Sequence, residues 1–196
     1  FNPQNQSKDE LIQRFVVRQQ LFKKLYKAIK DAKMETPEQH YLIQGRRGMG
    51  KTTLLLRLAY EIENDPELNT WLIPLVFNEE EYSIRSLHKF WERVIELLEE
   101  KHPAFRFEET EIRRLSAQHP EHDAYEKVLF EWLSGELTRH GKKLILFIDN
   151  FGDMARKFSD AEAHRLRKIL QTSADIRVFA ASSVVAVMTK ALACGA

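Results

Sequence analysis

Apolar residues fall along this chain in two patterns: short unbroken runs, and longer stretches with an apolar residue every third or fourth position. Unbroken runs predict strands buried on both faces, and the periodic stretches predict amphipathic helices. The runs lie at 40–44, 71–77, 143–150 and 176–181. Pro74, inside the second run, has no amide hydrogen for a ladder and so predicts a sheet edge. Helical spacing covers 8–33 (Leu21, Phe22, Leu25, Ile29), 53–62 (Leu54, Leu55, Leu58, Ile62) and 86–100 (Leu87, Phe90, Trp91, Val94, Ile95, Leu98). It returns at Tyr125, Val128, Leu129, Trp132, Leu133 and Leu137, then at Leu166, Ile169 and Leu170, and a further helix starts at Val184. Asp123 with Glu126, and Ser159 with Glu162, have the spacing of capping boxes, and Gly141 sits where a helix stops. Residues 101–122 are polar and irregular, with a short helix expected over 109–116.

The turn between the first run and the second helix carries the strongest chemical signal. Gly45, Arg46, Arg47, Gly48, Met49, Gly50, Lys51 and Thr52 match G-x-x-x-x-G-K-[ST], the phosphate-binding loop of nucleoside triphosphatases. Glycines allow backbone conformations in which successive N–H groups turn inward on a phosphate. In such a loop Lys51 reaches the β- and γ-phosphates and the Thr52 hydroxyl ligates Mg²⁺. The N-terminus of the following helix adds its positive dipole. Strand, loop and helix in this order is the context that the motif requires.

A second signal closes the third run, where Asp149 and Asn150 follow an apolar strand. A carboxylate at that strand end, beside the phosphates, can hold Mg²⁺ directly or through water. The fourth run ends in Ser182 and Ser183, where a hydroxyl either orients a water near the γ-phosphate or simply terminates the strand. Phe15, Val16, Val17 and Arg18 read either as apolar packing at a helix start or as a nucleotide contact. Glu79, Glu80 and Glu81 follow the second run, where open α/β sheets place their ligands, and read best as a solvated loop. Trp91 belongs to the core by its period. His119, His122 and Asp123 look like a fragment of a metal site that lacks a further ligand cluster.

Composition narrows the setting. The 196 residues suffice for one sizeable core, and 30 basic against 29 acidic side chains give no global argument for nucleic acid, leaving only a local patch. One cysteine, Cys194, excludes an internal disulfide and fits a reducing compartment. No apolar run has transmembrane length and the first residues are polar, so a cytoplasmic protein without a membrane partner is expected. The start at Phe1 and the uncapped stretch 191–196 suggest a domain excerpted from a longer protein.

The order of elements, with the 45–53 loop, the strand ending in Phe147, Ile148, Asp149 and Asn150, the 15–18 segment and the 166–171 helix before the fourth strand, resembles the additional-strand P-loop ATPases. These include AAA+ proteins and the STAND class, and the wording is similar to bacterial STAND-type ATPases. The resemblance implies a three-layer α/β/α fold with a mostly parallel sheet, the P-loop strand lying beside the fourth strand. It implies a helical segment at 1–39 bordering the nucleotide and a nucleotide-binding domain at 40–196 that ends before the fifth strand and the lid. Phe15, Val16, Val17 and Arg18 would border adenine and ribose. Gly48, Gly50, Lys51, Thr52 and Thr53 would hold the phosphates of ATP or ADP, with Asp149 on Mg²⁺ and Ser182 or Ser183 as sensor.

Departures from the pattern qualify the activity. Val17 and Gln19 replace a usual glycine and acid, and Asn150 stands where many AAA+ proteins place a glutamate that polarises water. An amide is no base, which leaves Asp153 as a substitute. No arginine follows Arg177, and no Gly-x-Pro lid segment is present. The expected function is ATP–Mg²⁺ binding with slow or partner-dependent hydrolysis, as the switch domain of a multidomain STAND-like ATPase. Self-association or intramolecular regulatory domains are its expected partners, with Arg156, Arg165 or Arg167 able to act in trans. Two alternatives stay open: an AAA+ ATPase acting on DNA in transposition or replication, and a nucleotide-binding scaffold without turnover.

Overall fold

A computed structural model describes residues 18–77, 84–106, 109–118 and 121–183. Four parallel strands form one sheet: β1 (Tyr41–Gln44), β2 (Leu72–Phe77), β3 (Lys143–Ile148) and β4 (Ile176–Ser182), in the order β1-β4-β3-β2. The P-loop strand therefore pairs with the fourth strand, in register Gln44 to Ser182, and β2 is an edge strand, as Pro74 predicted.

Around the sheet run α1 (Gln19–Lys30), α2 (Lys51–Asn64), α3 (Leu87–Lys101), α4 (Glu109–Gln118), α5 (His122–His140), α6 (Phe151–Ala155) and α7 (Asp160–Thr172). Strand side chains alternate between two cores because successive residues point to opposite faces. Ile43, Ile145, Phe147, Phe179 and Ala181 pack with Leu25 and Ile29 of α1 and Leu54, Leu55, Leu58 and Ile62 of α2. Leu144, Leu146, Ile148, Val178 and Ala180 pack with α3, α5, α6 and α7, including the fully buried Trp91. Covering both faces is why these strands read as unbroken apolar runs. The result is the three-layer α/β/α fold with a parallel sheet.

Two polar ties fasten α1 and β1 to β4. Arg177 is 2 % exposed and donates to Gln39 O (2.9 Å) and Ala28 O (2.9 Å), with its guanidinium over the Tyr41 and Phe179 rings. Burial holds its pKa below the ordinary arginine value, against the opposing pull of Tyr41 and Glu38. His40 bridges the Val178 N–H (3.0 Å) and the Leu170 carbonyl (2.9 Å).

Several expectations shift. The helix expected over 53–62 runs from Lys51 to Asn64, and within the one expected over 8–33 the described part is α1. The Ser159–Glu162 capping box is present, and Glu162 also accepts the Leu87 N–H (2.9 Å) at the start of α3. The Asp123–Glu126 box is not. Glu121 occupies the N-cap of α5 without a side-chain cap, and Asp123 is the second helical residue. Both carboxylates turn instead to Arg165, Asp123 at 2.8 Å and Glu126 at 3.0–3.2 Å, a charged pairing stronger than a cap. Arg165 is accordingly half-buried, and Arg167 on the same helix is half-buried as well. Neither apolar pattern marked α6, whose Phe151, Met154 and Ala155 are buried. His122 lies with its ring 4.5 Å from that of His88. Glu79, Glu80, Glu81, His119 and the helix from Val184 lie outside the described residues.

Candidate nucleotide site

β1 ends at Gln44, and the chain turns through 45–50 into α2 at the carboxyl ends of the strands. That is where open α/β sheets bind ligands. Gly48 (φ 80°) and Gly50 (φ 70°) are left-handed, a conformation that costs a residue with a Cβ roughly 1–2 kcal/mol. Gly50 is the N-cap of α2, so the loop delivers its backbone into a helix N-terminus. The Gly45 N–H donates to Ser182 O (3.3 Å), which continues the β1–β4 ladder one residue into the loop. Arg46, Arg47 and Gly48 are exposed, and Met49 is 48 % exposed.

Lys51 is only 7 % exposed, and its ammonium donates to Gly45 O (2.8 Å) and Arg46 O (3.0 Å) across the loop. Next along α2, the Thr52 hydroxyl donates to Asp149 Oδ2 from the end of β3. Asp149 is 9 % exposed and its other oxygen accepts the Asn150 N–H (2.9 Å). Thr53 is half-buried on the same first turn. The loop with its adjoining α2 hydroxyl and the β3 aspartate, 97 positions from Thr52, thus meet at one place. A hydroxyl oxygen beside a carboxylate oxygen is the hard donor set that suits Mg²⁺. Lys51 offers an ammonium at the loop's hollow, and Gly48 and Gly50 are cradle positions where only glycine is unstrained. These residues fit a nucleoside polyphosphate with its metal.

The other expected residues fall as follows. Arg18 is the N-cap of α1 and reaches the loop, donating from Nε to Met49 O (2.9 Å). A Cβ on Gly45 would stand 3.0 Å from the same guanidinium, so Gly45 also leaves room for Arg18. Periodicity alone placed Arg18 only in a segment of open meaning; no signal short of the fold links it to Met49. Phe15, Val16 and Val17 lie outside the described residues. Ser182 is 2 % exposed and meets the loop through its carbonyl, while Ser183 is exposed. Asn150 is left-handed (φ 49°) and is the N-cap of α6. Asp153, the substitute base, is ion-paired with Arg156.

That pairing also occupies Arg156, one of the three arginines considered for a neighbouring site. Arg165 is held still more firmly. Its pKa is raised, first by hydrogen bonding to Glu126, while burial pushes the Glu126 carboxyl up against the pull of Arg165.

A family model described as an AAA ATPase domain matches residues 14–181. No curated protein matches the chain. Among solved structures, the Aeropyrum pernix ORC2 protein in its ADP form is similar with a TM-score of 0.64 at 14 % identity, over 90 % of this chain and 45 % of that one. The Aeropyrum pernix ORC1 protein in complex with DNA gives 0.59 at 15 %, over 88 % and 40 %. Cdc6p from Pyrobaculum aerophilum gives 0.51 at 15 %, over 93 % and 45 %. The chain spans less than half the length of these proteins, and at such identities the likeness is one of fold.

Proposed function

The chain belongs to the AAA ATPase domain family, and on that premise we propose that it binds ATP–Mg²⁺ as a nucleotide-gated switch and hydrolyses it slowly or only with partner groups. One observation carries this reading: the Thr52 hydroxyl and Asp149 carboxylate meet beside the Lys51 ammonium and the glycine loop. In it, Lys51 exchanges its two loop carbonyls for phosphate oxygens, and the loop N–H groups and α2 N-terminus face the same charge. Thr52 and Asp149 would hold Mg²⁺, which when bound would supply positive charge against the phosphates. Arg18 lies at the rim, with 1–39 as a bordering segment and 40–196 as the nucleotide-binding domain. Asn150 can orient a water but cannot take its proton, which is why turnover is slow.

A STAND-like regulatory role follows from the wording of the loop and strand ends. The second reading, an AAA+ ATPase acting on DNA, draws support from likeness in fold to ORC and Cdc6 proteins, one of them in complex with DNA. Binding of a fluorescent ATP analogue, with and without Mg²⁺, tests the core of the proposal. Lys51→Ala should weaken binding at least about tenfold, about 1.4 kcal/mol, without unfolding the protein. Unchanged affinity in the folded variant refutes the site. Single-turnover hydrolysis by the same protein separates a switch from a scaffold.

A further inference from the structure

We propose that the outer face of α1 is a docking surface for the phosphate backbone of duplex nucleic acid. At 100° per residue, Gln19, Gln20, Lys23, Lys24, Lys27, Lys30 and Asp31 share the arc opposite the buried Leu25 and Ile29, and all seven are exposed. Lys23, Lys27 and Lys30 form a line along the axis, separated by rises of about 6 Å and about 4.5 Å. Between Gln19 and Lys30 there is no acid at all. Lys30 meets Asp65 (3.0 Å), whereas Lys23, Lys24 and Lys27 have no ion pair among the described residues.

Other helices of this protein treat their bases differently. On α3, Lys89 pairs with Glu92 (2.6 Å) and Arg93 with Glu96 and Glu100 (3.1 Å each). On α5, Lys127 pairs with Glu131 and Arg139 with Glu136. Such i,i+3 and i,i+4 pairs are what a merely solvated helix uses, and like charges at those spacings cost up to about 0.5 kcal/mol each. The nearly balanced total charge thus conceals a segregated one: α1 keeps Lys23, Lys24 and Lys27 unneutralised side by side, while Lys30 is shared with Asp65 and Asp31 lies only at the C-terminal end of the face, and that cluster complements an extended polyanion.

The chemistry of the face selects the polyanion. None of the fully exposed residues of α1 is apolar, so its outer face offers nothing to insert into a bilayer. No aromatic ring is offered for stacking on bases, since Phe22 and Tyr26 stack on one another (5.8 Å) in the core-facing half. Four lysines and two glutamines, with Asp31 only at the C-terminal end and no base-reading scaffold, contact phosphates and carry no sequence preference. The observations behind this surface are independent of the nucleotide reading and specify where the DNA-acting alternative would make contact.

The test is fluorescence anisotropy of a labelled duplex of arbitrary sequence with the whole protein, between about 50 and about 200 mM salt. Replacing Lys23, Lys24 and Lys27 together by Gln should reduce the log–log salt slope by about 2.7, at about 0.9 per lost phosphate contact. Replacing the same three by Arg should keep the slope. Binding of a fluorescent ADP analogue should be unchanged in both variants. The proposal is overturned if the wild-type protein shows no salt-dependent duplex binding, or if it binds phosphatidylserine vesicles or polyglutamate better than duplex. A slope retained by the glutamine variant overturns it too, leaving any duplex binding to another surface. So does joint loss of duplex and nucleotide binding, which would mean that the lysines act through the fold.

Discussion

Acidification should destabilise this fold through His40 before any carboxylate is reached. The Val178 N–H points at Nδ1, so that nitrogen must keep its lone pair, and the ring proton therefore sits on Nε2 and donates to Leu170 O. A second ring proton would face an N–H across 3.0 Å in a largely buried site. Burial is the chief cause that holds the His40 pKa below its ordinary 6.5; the Leu170 carbonyl opposes it and the Arg177 charge reinforces it. Below pH 6.5 the unfolded chain then takes up a proton that the folded one refuses. Stability is full above 6.5 and falls as pH drops toward the folded pKa, by at most about 1.4 kcal/mol per pH unit. His88 and His102 are shifted the same way, burial first, so the wild type carries more than one such group. The comparison with His40→Gln isolates one of them. At neutral pH that variant should lose about 1–3 kcal/mol, because two buried backbone groups lose their partner or its geometry. Urea titrations from about pH 7.5 to about pH 5.5 should then show the gap between wild type and variant narrowing as pH falls. A gap that stays constant, or widens, refutes the assigned tautomer and its burial.

Two further outcomes follow from named contacts. Asn150→Glu should raise single-turnover hydrolysis if the missing base limits it, yet cost about 1 kcal/mol in urea denaturation, because a glutamate must take the left-handed conformation there; unchanged hydrolysis places the limit in groups supplied by a partner. Arg177→Met should cost about 1–3 kcal/mol, since the part-buried Ala28 O and Gln39 O lose their charged donor. A loss under about 1 kcal/mol in the same assay would mean that water replaces the guanidinium.

The parts of this structure legible in the sequence are those that a local period or a short motif encodes. Unbroken runs gave all four strands because each is covered on both faces, and Pro74 marked the edge because it lacks an amide hydrogen. The loop at 45–52 was legible because phosphate chemistry constrains neighbouring residues. What escaped depends on pairs remote in sequence. Asp123 and Glu126 have the spacing of a cap, but Arg165, some forty residues on, takes both carboxylates. Arg18 meets Met49 across 31 positions, and Ser182 contributes a carbonyl to the loop where its hydroxyl had drawn notice. The helix α6 was too short to show a period.

Position 150 shows how the two kinds of constraint meet in one residue. As chemistry, Asn150 stands where a glutamate would activate water, and it reads as a loss. As backbone, it follows the buried strand β3, turns left-handed at φ 49° and becomes the N-cap of α6. Asparagine tolerates that conformation better than glutamate does. The turn it makes sets two contacts at once: its N–H fixes one oxygen of Asp149, leaving the other to Thr52, and its carbonyl accepts the Asp153 and Met154 N–H groups that start α6. Met154 and Ala155 are then buried where α6 packs on β4, the strand whose Ser182 carbonyl holds the loop at Gly45. A substitution at 150 is therefore tested as much by the orientation of Asp149 as by the proton it can accept.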